Sequence, residues 1–266
     1  MSTILALAHL TRRFGDYAAA NDITLEIPAG EVFGLLGPNG AGKSTTIKML
    51  TTLLPPSEGT ASIAGYDIIR QQSQVRRVIG YVPQALSADG NLTGYENLFI
   101  FTRLYDLPRK VRKQRTRQAL AFMGLTDVAD KLVKTYSGGM IRRLEVAQSL
   151  LHAPEVLFLD EPTVGLDPVA RKAVWQHLSE LRAQTGMTIF LTTHYMEEAD
   201  SLCQRIAIMN QGKVAAIGTP TELKASLDQP DATLDDVFAH YTGDDLETGG
   251  SYRDTSRARR TARRLG

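Results

Sequence analysis

Short apolar runs recur along the chain at Val32–Leu36, Val78–Val82, Val156–Leu159 and Thr188–Leu191. Each is continuous rather than alternating and is bounded by turns, the pattern of a strand buried on both faces. Segments with helical spacing lie between most of them, which predicts a largely parallel sheet with helices on both faces. Two regions break the alternation. Residues 1–31 and 58–70 are β-rich and turn-punctuated, predicting a small antiparallel layer, while about residues 86–150 read as mostly helical without a strand. The expected fold class is α/β: a largely parallel sheet with a small antiparallel β lobe and an inserted helical lobe.

The junction after the first of these runs carries chemistry. Gly37-Pro38-Asn39-Gly40-Ala41-Gly42-Lys43-Ser44-Thr45 joins the run Val32–Leu36 to the helix-like stretch Thr45–Leu54. Glycines at this spacing let backbone N–H groups converge on phosphates at a helix N-terminus, and one lysine adds a positive charge. This is a complete P-loop, so the core is expected to be that of a P-loop NTPase. Lys43 is placed to reach the β and γ phosphates, and Ser44 to coordinate Mg²⁺. A second strand-like run, Val156–Leu159, ends in Asp160-Glu161. Adjacent carboxylates at a strand end often mean only that the chain has reached solvent. Beside a P-loop they suit a metal-holding Asp160 and a general base Glu161 facing the attacking water.

Ser137-Gly138-Gly139 opens a segment in which Leu144, Ala147 and Leu151 share a helical face, with Pro154 just beyond. Ser137 suits an N-cap. The two glycines leave unobstructed N–H groups at a helix start, which also makes this a candidate second phosphate-binding surface.

These landmarks, in this order over about residues 1–225, resemble the ATP-binding-cassette (ABC) family of ATPases. The resemblance extends to Tyr81-Val82-Pro83-Gln84, to the signature Tyr136-Ser137-Gly138-Gly139-Met140, to Gly165-Leu166-Asp167, and to Leu191-Thr192-Thr193-His194. It implies that Gln84 joins the helical lobe to Mg²⁺ and the water, that His194 contacts the γ phosphate, and that Asp167 belongs to the nucleotide site. It also implies that Phe14 stacks on adenine, with nearby Tyr17 as the alternative. Family members meet head to tail, each signature closing over the nucleotide on the partner's P-loop, so a second copy of the subunit is an expected partner. Met140 stands where the family most often has glutamine and cannot reproduce its hydrogen bonding.

Within the family, Gly165-Leu166-Asp167-Pro168, Thr193-His194-Tyr195-Met196-Glu197-Glu198-Ala199-Asp200 and Thr233-Leu234-Asp235-Asp236-Val237-Phe238 are similar to the drug- and antibiotic-export branch typified by daunorubicin-resistance ATPases. The implied activity is ATP hydrolysis coupled to transport. The implied second partner is a separate integral membrane permease, seated beside residues about 84–105, where Leu98, Phe99 and Phe101 either line a groove or pack in the core. The alternative is a soluble member of the family acting on ribosomes or nucleic acid.

Composition adds boundaries. The chain has 266 residues, 43% of them apolar, enough for one compact domain. No apolar run approaches the roughly 18–20 residues of a membrane span, and Ile4–Leu10 lacks the flanks of a signal peptide. A peripheral place at the cytoplasmic face of the membrane is therefore expected. Six arginines against Asp254 make residues 251–266 basic, leaving 24 basic against 28 acidic residues elsewhere. The expected organisation is an ATPase domain at 1–225 with its helical lobe at about 86–150, a short extension at 226–248, and a basic, disordered tail at 249–266. A disordered tail leaves nucleic acid unexpected as a partner, as it does for the basic cluster Arg109–Arg117, which reads as a solvated helix face. The lone Cys203 is expected to be buried.

Overall fold

A computed structural model describes residues 2–227, 229 and 231–243. The sequence-expected tail at 249–266 and the end of the extension lie outside the described residues. Ten strands are described: β1 (Thr3–Phe14), β2 (Tyr17–Pro28), β3 (Val32–Leu36), β4 (Glu58–Ile63), β5 (Tyr66–Asp67), β6 (Ile79–Val82), β7 (Val156–Asp160), β8 (Thr188–Thr193), β9 (Arg205–Asn210) and β10 (Lys213–Gly218). The helices are α1 (Lys43–Leu50), α2 (Gln72–Val78), α3 (Gly94–Leu104), α4 (Arg109–Phe122), α5 (Gly138–Leu150), α6 (Pro168–Thr185), α7 (Met196–Leu202), α8 (Pro220–Ala225) and α9 (Leu234–Thr242).

The strands form two sheets. The larger has the order β10-β9-β3-β8-β7-β6, parallel from β9 to β6, with β10 antiparallel at its edge. The smaller is antiparallel in the order β2-β1-β4-β5. Every residue of β3, β7 and β8 is buried, because both faces of the large sheet are covered. Alternate residues therefore enter different cores. Leu36, Leu157, Leu159 and Leu191 join the side covered by α5 and α6. Phe33, Leu35, Phe158 and Phe190 face the side covered by α1 and the antiparallel sheet. On that second side the Phe190 ring lies 5.6 Å from Phe33 and 5.5 Å from Phe158. Each such fully buried side chain stabilises the fold by roughly 1.5–3 kcal/mol through area removed from water.

The sequence-predicted runs coincide with these strands, with small differences at the ends. Val78 is the last residue of α2 rather than the first of β6, and α1 begins at Lys43 and stops at Leu50. Between residues 86 and 150 no named strand is described. A single antiparallel bridge, Thr93 to Leu132, links the start of α3 to the loop before α5. The start of α3 is itself set by a reciprocal capping box, Thr93 with Glu96. Leu98 is fully buried there, whereas Ile100 and Leu104 are exposed. Cys203 is buried as expected: a Cβ added at Gly34 would stand 2.7 Å from its Sγ, so the glycine in β3 makes room for the thiol. Helix α9 places Leu234, Val237 and Phe238 in the same core as α5 and α6, so this helix is packed into the fold.

Candidate nucleotide site

Strand order decides which loops meet. Strands β3, β8, β7 and β6 are adjacent and parallel, with Leu36 opposite Thr193, Asp160 opposite Thr192, and Val82 opposite Leu159. Their C-terminal ends therefore deliver Gly37–Lys43, His194, Glu161 and Gln84 to one edge of the sheet, where open α/β sheets bind ligands.

The loop between β3 and α1 is tightly backed. Gly42 caps α1 with φ of 102°, a conformation that only glycine adopts readily, and a Cβ there would collide with the Ala19 carbonyl of β2. The β9–β10 turn braces the loop from another side: Gly212 N donates to Ala41 O at 3.1 Å, and Asn21 N donates to Gly212 O at 2.8 Å. Lys43, only 4% exposed, donates from Nζ to Gly37 O at 2.7 Å and to Pro38 O at 3.2 Å. Its Nζ also lies 3.3 Å from Glu161 Oε1. Burial lowers the Lys43 pKa, while the carboxylates of Glu161 and Asp160 pull it back up.

Asp160 ends β7 and accepts at one oxygen, Oδ1, from Ser44 Oγ at 3.1 Å and from Thr192 Oγ1 at 2.6 Å. Glu161 follows in the left-handed region, at φ of 48°, and its N–H is held by the Thr192 hydroxyl at 3.0 Å. Its carboxylate is the hub of the cluster. Gln84 Nε2 donates to Oε2 at 3.2 Å, His194 Nδ1 lies 3.3 Å from the same oxygen, and Lys43 faces the other. Burial alone would raise the Glu161 pKa. The His194 imidazole beside it and the charge of Lys43 outweigh it, so the carboxyl lies below its ordinary range and is ionised at neutral pH.

Gln84 is held from behind by two residues that sequence reasoning missed. Arg142 of α5, 2% exposed, donates from Nη1 to Pro83 O and from Nη2 to Gln84 O, both at 2.7 Å. Its Nη1 also pairs with Glu145 Oε2 at 3.0 Å. Glu145 in turn accepts from the backbone N–H and the hydroxyl of Ser87 and from Ala88 N. An arginine and a glutamate three residues apart within an otherwise buried helix are the available signal, because both charges must face inward together.

The remaining candidates sit apart from this cluster. Ser137 caps α5, accepting from Met140 N at 3.3 Å, and a Cβ added at Gly138 or Gly139 would press on Leu166 or Ala170. The signature therefore lies against the start of α6. No hydrogen bond joins it to the P-loop among the described residues. Asp167 caps α6, its Oδ1 accepting from Val169 N and Ala170 N at 2.9 Å each. Phe14 and Tyr17 close the β1–β2 hairpin and are both exposed. The Arg12 guanidinium covers the Phe14 ring at 4.7 Å, while Tyr17 reaches the P-loop, its hydroxyl 3.4 Å from Gly40 O. Asn39 and Gly40 at the loop's crest are exposed, and Thr45 is half-buried.

No three His, Cys, Asp or Glu residues group to form a metal cage among the described residues. The hard oxygens of Ser44 and Asp160, already in contact, suit a Mg²⁺ ion that shares its coordination with phosphates.

A phosphate-binding loop, a strand-end carboxylate pair and a helical insertion anchored behind Gln84 together define a nucleotide-binding ATPase domain. The chain belongs to the ABC transporter family, whose model matches residues 20–164. It is 47% identical over 218 residues to the daunorubicin/doxorubicin resistance ATP-binding protein DrrA of Streptomyces peucetius, covering 82% of this chain and 66% of that protein. It is 41% identical to the linearmycin resistance ATP-binding protein LnrL of Bacillus subtilis, covering 84% of this chain and 72% of LnrL. It is 40% identical to the probable multidrug protein YbhF of Escherichia coli, of which it spans 41%. Among solved structures, an ATP-binding subunit of an ABC transporter is similar with a TM-score of 0.79 at 29% identity, over 90% of this chain and 99% of that one. The cassette MJ0796, solved as a post-hydrolysis dimer with ADP and Pi, is similar with a TM-score of 0.71 at 26% identity, over 81% of this chain and 98% of that one.

Proposed function

We propose that this protein is the ATP-hydrolysing subunit of an exporter of drug-like or lipophilic compounds. The observation that carries the hydrolytic part is the convergence of Lys43, Gln84 and His194 on the ionised Glu161 carboxylate. Glu161 is the general base that orients the attacking water, and Lys43 and the P-loop N–H groups neutralise phosphate charge. Ser44, Asp160 and Gln84 are the residues that would hold Mg²⁺, which supplies further charge neutralisation at the phosphates. Lys43 now rests on its own loop carbonyls and on Glu161. Turning it toward phosphate releases the carboxylate for the water.

The signature at Ser137–Gly139 makes no hydrogen bond to its own P-loop among the described residues, which supports a head-to-tail pair in which Ser137, Gly138, Gly139 and Asp167 complete the partner's site. Phe14, or Tyr17 beside it, is the adenine platform. Residues 1–225 form the ATPase unit, with the helical lobe at about 86–150. Among the described residues no helix is long and apolar enough to cross a membrane. The names of the relatives, ATP-binding proteins of drug resistance and multidrug transport, support a separate permease as the object of the work, with exposed Leu86, Ile100 and Leu104 as the apolar surface it meets and the subunit peripheral to the bilayer. Resistance to daunorubicin, doxorubicin and linearmycin in the names of relatives supports export of such compounds.

Replacing Glu161 with glutamine keeps the shape and removes the charge. The variant should bind ATP and Mg²⁺ but hydrolyse roughly 10²- to 10⁴-fold more slowly. Near-normal turnover refutes the assignment.

A further inference from the structure

Behind the nucleotide cluster lies another buried carboxylate with no place in the mechanism above. Glu198 of α7 is fully buried. One of its oxygens, Oε1, accepts from Thr163 Oγ1 at 2.8 Å and from Trp175 Nε1 at 2.8 Å. The three side chains come from three separate pieces of the molecule. Thr163 sits two residues past Glu161 in the segment leading to Asp167, Trp175 is on α6, which Asp167 caps, and Glu198 is four residues past His194. Burial pushes the Glu198 carboxyl up in pKa, against the pull of the Thr193, Trp175 and Thr163 side chains and the charge of Arg171.

A second set of contacts ties the same pieces together nearer the surface. The Arg171 guanidinium of α6 lies 4.2 Å over the Tyr195 ring, and that ring lies 4.3 Å from the His194 imidazole. The backbone around Thr163 is a turn closed by Val164 N donating to Glu161 O at 3.3 Å and Leu166 N donating to Thr163 O at 3.2 Å. A pull on the Thr163 hydroxyl is therefore carried to Glu161 on one side and toward Asp167 on the other.

We propose that Glu198 is a positioning residue for hydrolysis: by gripping Thr163 and Trp175 it fixes the His194 segment against the Glu161–Asp167 segment, so that the two loops are set as one unit. Buried hydrogen bonds to a carboxylate suit this task, because losing one leaves a donor or acceptor unsatisfied in a dry interior and makes alternative loop placements costly. Nothing in the contact touches the P-loop. The inference rests on the hydrolytic reading above, and ATP turnover is its readout.

The decisive variants are at Thr163, which is wholly buried. Thr163→Val keeps the volume and removes the hydroxyl; Thr163→Ser keeps the hydroxyl and removes a methyl group. Steady-state ATPase activity, measured well below each variant's melting temperature, should fall roughly 10- to 100-fold in kcat for Thr163→Val, the size expected of a small misplacement of reacting groups. KM for ATP should be unchanged, and Thr163→Ser should stay within about threefold of the parent. Glu198→Gln, which keeps an acceptor oxygen, should outperform Glu198→Ala, and if the alanine variant does not fold the Thr163 pair carries the test alone. A role in packing only predicts the reverse ranking, with Val silent and Ser impaired. That ranking, or a Thr163→Val enzyme within twofold of the parent, overturns the inference while leaving the hydrolytic reading standing. A parent protein that does not hydrolyse ATP overturns both.

Discussion

Replacing Arg142 with methionine tests whether Gln84 is held in place by the helix that begins with the signature. Methionine fills most of the space but leaves the carbonyls of Pro83 and Gln84 without the donors that now sit at 2.7 Å, and leaves the Glu145 carboxylate without its cation at 3.0 Å. Both charged side chains are 2% exposed, so water cannot take over. Breaking a buried pair by removing one partner costs about 3–5 kcal/mol. Glu145 retains its donors from Ser87 and Ala88, which places the expected loss near the lower end, about 3 kcal/mol. Against a typical domain stability of about 5–15 kcal/mol the loss is large. Urea unfolding followed by circular dichroism measures it as a fall in midpoint at constant slope. Adding Glu145→Gln to the same chain removes the stranded charge while keeping an oxygen for the Ser87 and Ala88 N–H groups, and should restore about 1–2 kcal/mol. A loss below about 1 kcal/mol in the single variant, or a further loss in the double, refutes the view that this pair anchors the segment after Gln84.

The lowered Glu161 pKa predicts a specific acid sensitivity. Its stabilising effect is complete above the ordinary value of 4.5 and is lost as the pH falls below that through the lowered pKa, so melting temperatures of the parent should drop more steeply than those of Glu161→Gln in this acid window; parallel curves would refute it. Cys203, buried with its thiol pKa pushed well up, should react with an aromatic disulfide reagent far more slowly in the native protein than in urea, and equal rates would contradict its burial.

Most of the fold was legible because the large sheet is covered on both faces. Two-sided burial leaves Val32–Leu36 and Val156–Leu159 as unbroken apolar runs, and the turns around them mark their ends. The P-loop and Asp160-Glu161 were legible for a different reason, since their chemistry depends on residues adjacent in sequence. What could not be read were partnerships across distance. Arg142 meets Pro83 over 59 residues and Trp175 meets Glu198 over 23, and a periodic pattern records which face a side chain occupies without recording what it meets there. The packing of α9 escaped for the same cause: Leu234, Val237 and Phe238 form a short apolar stripe, but only the assembled core shows that α7 and β9 receive it. At Tyr17 the sequence shows only an aromatic ring. Its reach to Gly40 O depends on how the hairpin leans over the loop.

Two glycines of the P-loop carry different burdens. At Gly40 φ is 81° and an added Cβ would meet nothing within 4 Å, so the position asks only for a left-handed backbone, which asparagine also enters at modest cost. At Gly42 φ is 102° and the space is filled by the Ala19 carbonyl, so neither a different backbone preference nor a smaller side chain opens an alternative. Sequence drift is thus permitted at one position and closed at the other, and the closure is imposed from the other sheet. Only a displacement of the β2 backbone at Ala19 would alter which residues the loop can accept there.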